Sequence, residues 1–257
     1  FTGIIPCGST GESATLSHEE HDEVIKKAVE FYNGKLKVIA GTGSNSTAEA
    51  IRLSKHAQEV GCDGVLLVAP YYNKPTQKGL YLHYKEVANA INIPVVLYNI
   101  QGRSAVNIEP KTIAQLAKDC KNIVAVKEAS GSLDQMMQIR LLAPEMDLIS
   151  GDDALTVPIM AIGGTGVISV LSNICPKVVA DLVNAMLKKD FDKANEIAIK
   201  WLPLVKAMFI ETNPIPVKAA MAMMGICSDE MRLPMCSLSD EHKESLRKTL
   251  KSFNLIS

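Results

Sequence analysis

One lysine stands at the end of an apolar segment, where burial could change its chemistry. Lys127 follows Ile123-Val124-Ala125-Val126, and the two-residue repeat of a β-strand would place it on the same face as Ile123 and Ala125. If that face lies inside the protein, loss of solvation favours the neutral amine, which can attack a ketone carbonyl and form a Schiff base. A lysine at a strand end can also extend into solvent, and the spacing leaves both interpretations open.

Tyrosines in two places could serve such chemistry by moving protons. Tyr98 ends the apolar segment that begins at Pro94, and its phenol could pass a proton to or from an intermediate held on the lysine. An aromatic core residue would look the same in the sequence. The pair Tyr71-Tyr72 lies in a loop after a third apolar segment, and loops carry functional residues more often than cores do.

Two further segments carry groups suited to binding carboxylates. Gly8–Ser13 combines glycines, hydroxyls and backbone N–H groups just before a predicted helix, which suits a small carboxylate as well as a plain strand-to-helix turn. Arg103 lies five residues after Tyr98. It could form a bidentate pair with a second carboxylate, or lie in solvent as most arginines do.

Other motifs and the composition argue against several classes of function. The histidines of His18-Glu19-Glu20-His21 are three residues apart, so they do not form the H-E-x-x-H zinc motif, and no glycine-rich loop carries a P-loop lysine. The formal net charge of -1 does not indicate a nucleic-acid partner. No apolar run approaches the roughly 18 residues of a membrane span, and the six cysteines lack C-x-x-C pairs. We therefore expect a cytoplasmic metabolic enzyme without metal or cofactor.

The elements that must position these residues alternate between strands and helices. We predict seven strands, at Ile4–Cys7, Lys37–Ala40, Gly64–Ala69, Pro94–Tyr98, Ile123–Lys127, Asp147–Ser150 and Gly166–Val170. Such continuous apolar strands are typical of a parallel sheet covered on both faces. The segment Gly41–Ser46 lacks the third glycine of a dinucleotide-binding turn, which favours a barrel over a doubly wound sheet. In a barrel, functional residues lie at the carboxyl ends of the strands.

Helix signals and the organisation of the chain complete this prediction. Ser17–Glu20 and Ser46–Glu49 match the S/T-x-x-E capping box, and Gly34 and Gly61 could end these two helices. Helical patterns alone continue after about residue 190, at Asn195–Phe209, Val217–Met224 and Asp240–Phe253. We predict a barrel domain at 1–190 and a small helical domain at 191–257. Because such barrels have eight strands, the first βα unit is expected to be absent from this chain.

In this order, the segments resemble the dihydrodipicolinate synthase family of pyruvate-dependent class I aldolases and lyases. The resemblance covers practically the whole chain, and its most specific matches are Gly8–Ser13, Pro70–Pro75 with Gln77–Leu80, Tyr98–Asn107, Val126–Ala129, Gly151–Asp153, Gly166–Val170, Asn213–Lys218 and Arg232–Pro234. It implies a (β/α)8 TIM barrel that holds pyruvate on Lys127 and condenses it with aspartate 4-semialdehyde. The implied product is 4-hydroxy-tetrahydrodipicolinate, on the route to diaminopimelate and lysine.

The resemblance also implies roles for individual residues. Tyr98, Ser9 and Tyr72 would relay protons, with Tyr72 reaching in from a neighbouring subunit of a homotetramer. Ser9 and Thr10 would hold the carboxylate of pyruvate, and Arg103 that of the semialdehyde. The pyruvate pocket would be lined by Gly151 and Ile168.

A second site is implied for lysine as a feedback inhibitor, at a subunit interface. The matching positions are Ser13, Ala14, His18, His21, Asn45, Glu49 and Tyr71. Glu49 could meet the ammonium group, while Asn45 and Tyr71 could donate to the carboxylate. Tyr71 adjoins Tyr72, which offers a short physical route between the two sites.

Three positions depart from the family pattern, and alternatives remain open. Ser9 stands where threonine is more usual, Gln101 where proline is typical and Ala105 where glycine is. Serine at the first position also occurs in the branch that cleaves N-acetylneuraminate, so a lyase for that acid or for a 2-keto-3-deoxy sugar acid is one alternative. Arg103 favours the synthase, because its second substrate carries a carboxylate. A non-catalytic oligomeric ligand-binding protein is the alternative from another class.

Overall fold

The computed structural model describes residues 2–257 and contains one parallel sheet. Its seven strands pair in the order of the chain. They are β1 (Gly3–Ile4), β2 (Lys37–Gly41), β3 (Gly64–Val68), β4 (Val95–Asn99), β5 (Ile123–Glu128), β6 (Asp147–Ser150) and β7 (Gly166–Val167). A doubly wound sheet would reverse its strand order at a switch point. The sequential order therefore confirms the predicted barrel type of winding and the predicted count of seven strands.

Eleven α-helices follow or separate these strands within residues 2–257. They are α1 (His18–Tyr32), α2 (Thr47–Glu59), α3 (Gln77–Asn89), α4 (Gln101–Ser104), α5 (Pro110–Asp119), α6 (Leu133–Leu142), α7 (Thr156–Ala161), α8 (Pro176–Leu187), α9 (Phe191–Ala207), α10 (Ile215–Met223) and α11 (Asp240–Ser252). The Ser17 capping box forms in full, with the hydroxyl accepting from Glu20 N and the Glu20 carboxylate accepting from Ser17 N. Gly34 and Gly61 lie just past α1 and α2 with positive φ, as predicted.

Two strands are shorter than predicted, for identifiable reasons. The first was expected to run to Cys7, but the ladder ends at Ile4, and Cys7 adopts a left-handed φ of 56° that turns the chain. The last was expected to reach Val170, but it ends at Val167. There the backbone N–H groups of Val170 and Leu171 turn to donate to the Asp153 carboxylate, at 2.9 and 3.0 Å.

The strands bury apolar side chains on both faces. The larger cluster packs strand residues such as Leu67 and Leu97 against the surrounding helices. A smaller cluster on the other face contains Leu66, Val96, Tyr98 and Ala125. At about 1.5–3 kcal/mol for each fully buried large side chain, these layers fix the strands and hence the residues at their carboxyl ends.

A β-bulge in β5 corrects one detail of the predicted strand. Val95 pairs with Ile123, but the next residue, Val96, pairs with Ala125, so Val124 is an extra residue. Consequently Ile123 lies in the helix-facing cluster while Ala125 lies in the inner one. The prediction that Lys127 shares a face with both residues is right for Ala125 and wrong for Ile123.

The C-terminal helices pack into a further apolar cluster. It joins residues of α8 and of the short turn before it to residues of α9, α10 and α11, including Leu204, Val217, Leu246 and Leu250. Residues of the segment that leads into α10 also reach the carboxyl ends of the strands. The helical region therefore contributes side chains to the site.

Candidate active site at the carboxyl ends of the strands

Lys127 lies near the carboxyl end of β5, beside Tyr98 of β4 and Ile149 of β6. Its Nζ is 3.9 Å from the centre of the Tyr98 ring. Burial lowers the pKa of the lysine to about 8. The nearby Asp153 carboxylate raises that pKa in part, and the Arg103 guanidinium lowers it. The amine is thus held where its neutral, nucleophilic form is accessible near neutral pH.

Tyr98 faces Lys127 directly across the strand pair. Its side chain is 7% exposed, and burial raises the pKa of the phenol to about 12. The phenol therefore keeps its proton at neutral pH and can donate it to an oxygen developing next to the lysine.

Asp153 lies in the matched segment Gly151–Asp153, but neither the sequence pattern nor the resemblance gave this acidic residue a role. It begins a short helical turn after β6, and burial raises the pKa of its carboxyl group. Its Oδ2 accepts from the N–H groups of Val170 and Leu171. This half-buried carboxylate near Lys127 stabilises the charged amine, and so partly offsets the effect of burial on the pKa of the lysine.

The loop after β1 carries Ser9 and Thr10 and is tied down by the segment before α10. Asn213, 5% exposed, donates from Nδ2 to Thr10 Oγ1 at 2.9 Å. Lys218 Nζ lies 2.7 Å from a carboxylate oxygen of Glu12, within the same loop. The Ser9 side chain is exposed, and no side-chain hydrogen bond to it forms among residues 2–257. Its hydroxyl is therefore free to meet a ligand.

Arg103 reaches the same segment from the other side. It lies in α4, and its Nη2 donates to the carbonyl oxygen of Asn213 at 2.8 Å. Asn213 therefore joins Thr10 and Arg103, the two residues that the resemblance assigns to different carboxylates. The resemblance includes the segment that contains Asn213 but gave this residue no role.

Gly151 and Ile168 lie at the ends of β6 and β7. Gly151 N donates to Glu128 O at 2.8 Å, and Ile168 N donates to Ser150 O at 2.9 Å. A Cβ atom on Gly151 would lie 3.1 Å from Lys127 Cε, so only glycine leaves the lysine its present space. Ile168 packs with the inner cluster that contains Tyr98.

Tyr72 is not brought into this site by its own chain. Its side chain is 89% exposed, and its backbone has a φ of 73°. A left-handed φ is uncommon for tyrosine, and the exposed ring leaves Tyr72 without a place in the site of its own chain.

Four of the seven positions matched to lysine binding cluster together. His18 Nε2 lies 2.6 Å from Glu49 Oε1. Asn45 Nδ2 donates to the carbonyl oxygen of Tyr71 at 3.2 Å. Hydrogen bonds from Ser44 and His18 hold the pKa of Glu49 below its ordinary value. Burial raises the pKa of the Tyr71 phenol, and the Glu49 carboxylate raises it further.

The remaining three positions are arranged differently. Ser13 and Ala14 form a short helical turn. His21 is buried, and one of its ring nitrogens, Nε2, lies 2.9 Å from the carbonyl oxygen of Gly41.

The second capping box predicted from the sequence is only half formed. Ser46 accepts from Glu49 N, but the Glu49 carboxylate turns away to His18 and Ser44.

Metal-ligand clusters and long apolar helices are both missing from the described part of the chain. No group of three or more His, Cys, Asp or Glu side chains between residues 2 and 257 is placed to hold a metal ion. None of the helices in the same range has the length and apolar character needed to cross a membrane.

Comparisons with known proteins agree with this geometry. The sequence model of the dihydrodipicolinate synthetase family matches residues 1–253. The 4-hydroxy-tetrahydrodipicolinate synthase of Endomicrobium trichonymphae is 61% identical over 254 residues, which cover 99% of this chain and 87% of that protein. A crystal structure of a dihydrodipicolinate synthase is 55% identical with a TM-score of 0.98, covering 99% of this chain and 88% of that one. The lysine-bound enzyme of Cyanidioschyzon merolae is 40% identical with a TM-score of 0.96, covering 99% and 87%. The chain therefore belongs to the dihydrodipicolinate synthetase family.

Proposed function

We propose that this chain condenses pyruvate with aspartate 4-semialdehyde, by way of a Schiff base on Lys127, to give 4-hydroxy-tetrahydrodipicolinate. The observation that carries the proposal is the amine of the half-buried Lys127, 3.9 Å from the Tyr98 ring centre and with a pKa lowered to about 8. At that pKa roughly one amine in ten is neutral at pH 7, against about one in 3,000 at a pKa of 10.5. Family membership supports the choice of substrates.

The reaction begins when neutral Nζ adds to the keto carbon of pyruvate. The hydroxyl of this carbinolamine takes a proton and leaves as water, giving an iminium whose positive charge favours loss of a methyl proton. The resulting enamine attacks the aldehyde carbon of the semialdehyde. The amino group of that substrate then adds to the former keto carbon, closes the ring and releases Lys127 as the free amine.

Tyr98 supplies the proton that removes the carbinolamine oxygen and takes one back in later steps. Its position beside Lys127 and its raised pKa support this role. Ser9 and Tyr72 extend the relay. Since Tyr72 is 89% exposed in its own chain, the proposal requires a second subunit to bring it to the site.

Binding of the two carboxylates is assigned to opposite sides of Asn213. Thr10, with Ser9, holds the carboxylate of pyruvate through hydroxyl and backbone donors, and Gly151 and Ile168 line the space around the methyl group. Arg103 holds the carboxylate of the semialdehyde. The contacts of Asn213 with Thr10 and Arg103 support a fixed spacing between the two.

The direct test is reductive trapping of pyruvate with cyanoborohydride, read by intact mass and by mapping of the labelled peptide. We expect a single adduct, on Lys127, that is lost in Lys127→Met. Absence of the adduct in the wild-type protein refutes the Schiff base. A coupled assay that compares aspartate semialdehyde with N-acetylneuraminate then decides between the synthase and the sister lyase.

We also propose that lysine binds at the cluster of His18, Asn45, Glu49 and Tyr71 and lowers the rate. The hydrogen bond between Glu49 and His18 and the position of Tyr71 next to Tyr72 support this assignment. Millimolar lysine should inhibit the wild-type protein, and Glu49→Gln should weaken that inhibition with little change in uninhibited rate. An unchanged rate in the presence of lysine would remove this part of the proposal.

We also propose, from the resemblance to the family, that the protein is a homotetramer and lies in the cytoplasm. Tyr72 needs a partner chain, which a dimer already supplies, so sedimentation of the wild-type protein must separate dimer from tetramer. A biosynthetic role and six free cysteines support a reducing compartment.

A further inference from the structure

A fully buried carboxylate lies immediately after the lysine, on the opposite face of β5. Glu128 is 0% exposed. Its Oε1 accepts from the backbone N–H of Ser130 at 2.7 Å, and its Oε2 accepts from Gln135 Nε2 of α6 at 2.9 Å. Asn99 Nδ2, at the end of β4, lies 3.2 and 3.1 Å from the two oxygens. All these partners are donors, the pattern expected around an acceptor-only carboxylate.

The direction of every hydrogen bond in this network is fixed by backbone groups at its two ends. At one end, Ser130 N–H requires an acceptor on Glu128. At the other, Ile108 N–H donates to Asn99 Oδ1 at 3.0 Å, which forces Asn99 Nδ2 toward Glu128. Asn107 lies between, accepting from Asn99 Nδ2 at 2.8 Å and donating to Gln135 Oε1 at 2.7 Å. If one of these side-chain amides exchanged its oxygen and nitrogen, its neighbours in the network would have to do the same, and a donor would finally face a backbone N–H group.

Each part of the network adjoins a residue of the candidate active site. Glu128 follows Lys127, and its carbonyl oxygen accepts from Gly151 N at 2.8 Å. Asn99 follows Tyr98. Asn107 closes the segment that carries Arg103, three residues after its helix ends at Ser104. The network thus joins β4, β5, α6 and the loop after α4 at one buried point behind the amine.

We propose that Glu128 is a positioning residue for Schiff-base chemistry, fixing the relative places of Lys127, Tyr98 and the Arg103 segment through its network with Asn99, Asn107 and Gln135. This assignment rests on the proposed function. A buried charge whose partners are all neutral is costly to the fold. The buried carboxylate benefits catalysis by fixing geometry, since displacement of a reacting group by about 1 Å can lower a rate roughly 100-fold.

The critical variant is Glu128→Gln, which keeps the shape but replaces one acceptor oxygen by an NH2 group. Because both ends of the network are fixed by backbone donors, one donor must then face another donor. We expect the rate of pyruvate trapping and kcat to fall about 10- to 100-fold, with a smaller change in the KM for pyruvate. The pH midpoint of trapping should stay near 8, because burial of Lys127 sets it.

The matched rescue exchanges the two side chains, in Glu128→Gln with Gln135→Glu. The amide introduced on β5 can then accept from Ser130 N–H and donate to the carboxylate introduced on α6, whose other oxygen accepts from Asn107. We expect this double variant to recover trapping and kcat to within about 3-fold of wild type. Glu196→Gln makes the same chemical change at an exposed ion pair with Lys193 and should leave both rates unchanged.

The outcomes separate the inference from the proposed function. If wild type does not trap pyruvate, the proposed function fails and this assignment fails with it. If wild type traps pyruvate and folded Glu128→Gln does so at the same rate, or if the double variant regains thermal stability but not kcat, Glu128 has no positioning role. Should the single variant not fold, Gln135→Met removes the side-chain donor to Glu128 and the acceptor for Asn107 Nδ2 while leaving Glu128 in place. It must lower the trapping plateau without moving the pH midpoint, and an unchanged plateau overturns the proposal.

Discussion

Replacing Asp153 by Asn is expected to move pyruvate trapping toward lower pH. Burial lowers the pKa of Lys127 to about 8, and the Asp153 carboxylate opposes that shift by favouring the charged amine. Without this carboxylate the pKa of the lysine falls further, so more of the amine is neutral at pH 7. The neutral fraction in wild type is already roughly one in ten at that pH. The gain in rate can therefore be no more than about 10-fold.

The assay measures the pseudo-first-order rate of adduct formation with pyruvate and cyanoborohydride from about pH 6 to about pH 10. In wild type the rate should rise with pH and level off above about 8. In Asp153→Asn the rise should come at lower pH, while the plateau stays the same because the amine is neutral there in both proteins. Asn can still accept from the N–H groups of Val170 and Leu171, so the turn is kept.

Asp152→Asn is the matched control, since it removes the same charge one residue away. Asp152 caps its turn through Ala154 N, and its carboxylate is not among the groups that shift the pKa of Lys127. Its pH profile should coincide with that of wild type. A midpoint that stays in place in Asp153→Asn, or that moves to higher pH, would show that the electrostatic account of the amine is wrong.

Three further outcomes are expected. Lys127→Met should raise the free energy of unfolding by up to about 3 kcal/mol in urea titrations at pH 7. The penalty for burying the ammonium is full below about pH 8 and disappears as pH rises toward 10.5. The gain in stability should therefore vanish over that interval. Glu12→Lys and Lys218→Glu should each raise the KM for pyruvate about 10-fold in the coupled assay, and their combination should restore it, because the 2.7 Å pair holds the carboxylate-binding loop. Gly151→Ala should lower kcat/KM for pyruvate at least about 10-fold, because the added methyl would lie 3.1 Å from Lys127 Cε and 2.7 Å from the Ala129 side chain.

Each of these expectations has its own control or contrary outcome. Gly102→Ala, at an exposed glycine with no atom within 4 Å of the added methyl, should keep kcat/KM near the wild-type value. If the charge-exchanged Glu12 and Lys218 variant remains as impaired as either single variant, their pairing does not hold the loop. A Lys127→Met protein with unchanged stability at pH 7 would mean that the amine is better solvated than its surroundings indicate.

The positions of Lys127 and Tyr98 could be predicted because local pattern determines them. Each residue follows a continuous apolar segment and is the last but one residue of its strand, and parallel strands bring their carboxyl ends to one edge of the sheet. Strand number and winding followed from the same signal. The bulge at Val124 could not be predicted, because an extra residue inside an unbroken apolar segment leaves no trace in its composition.

Contacts between distant segments could not be predicted from the sequence either. Asn213 meets Thr10 across 203 residues and Arg103 across 110, and no periodicity encodes such pairs. The central place of Glu128 in a hydrogen-bond network could not be predicted either, because its partners come from three separate elements. The capping box at Ser46 failed for a related reason, since His18, 31 residues away, competes for the Glu49 carboxylate.

The extra residue in β5 decides which chemistry the barrel interior receives. Downstream of Val124, alternate side chains point to alternate faces, so Lys127 turns inward and Glu128 turns toward α6. Deleting Val124 itself would close the bulge and keep Lys127 opposite Tyr98. Deleting Val126, between the bulge and the lysine, would exchange the two faces and send the Glu128 carboxylate into the pocket and the ammonium among amide donors. The number of residues between the bulge and Lys127 therefore determines which side chain faces the barrel interior, and a one-residue insertion or deletion in that interval would end the activity without changing any residue that meets substrate.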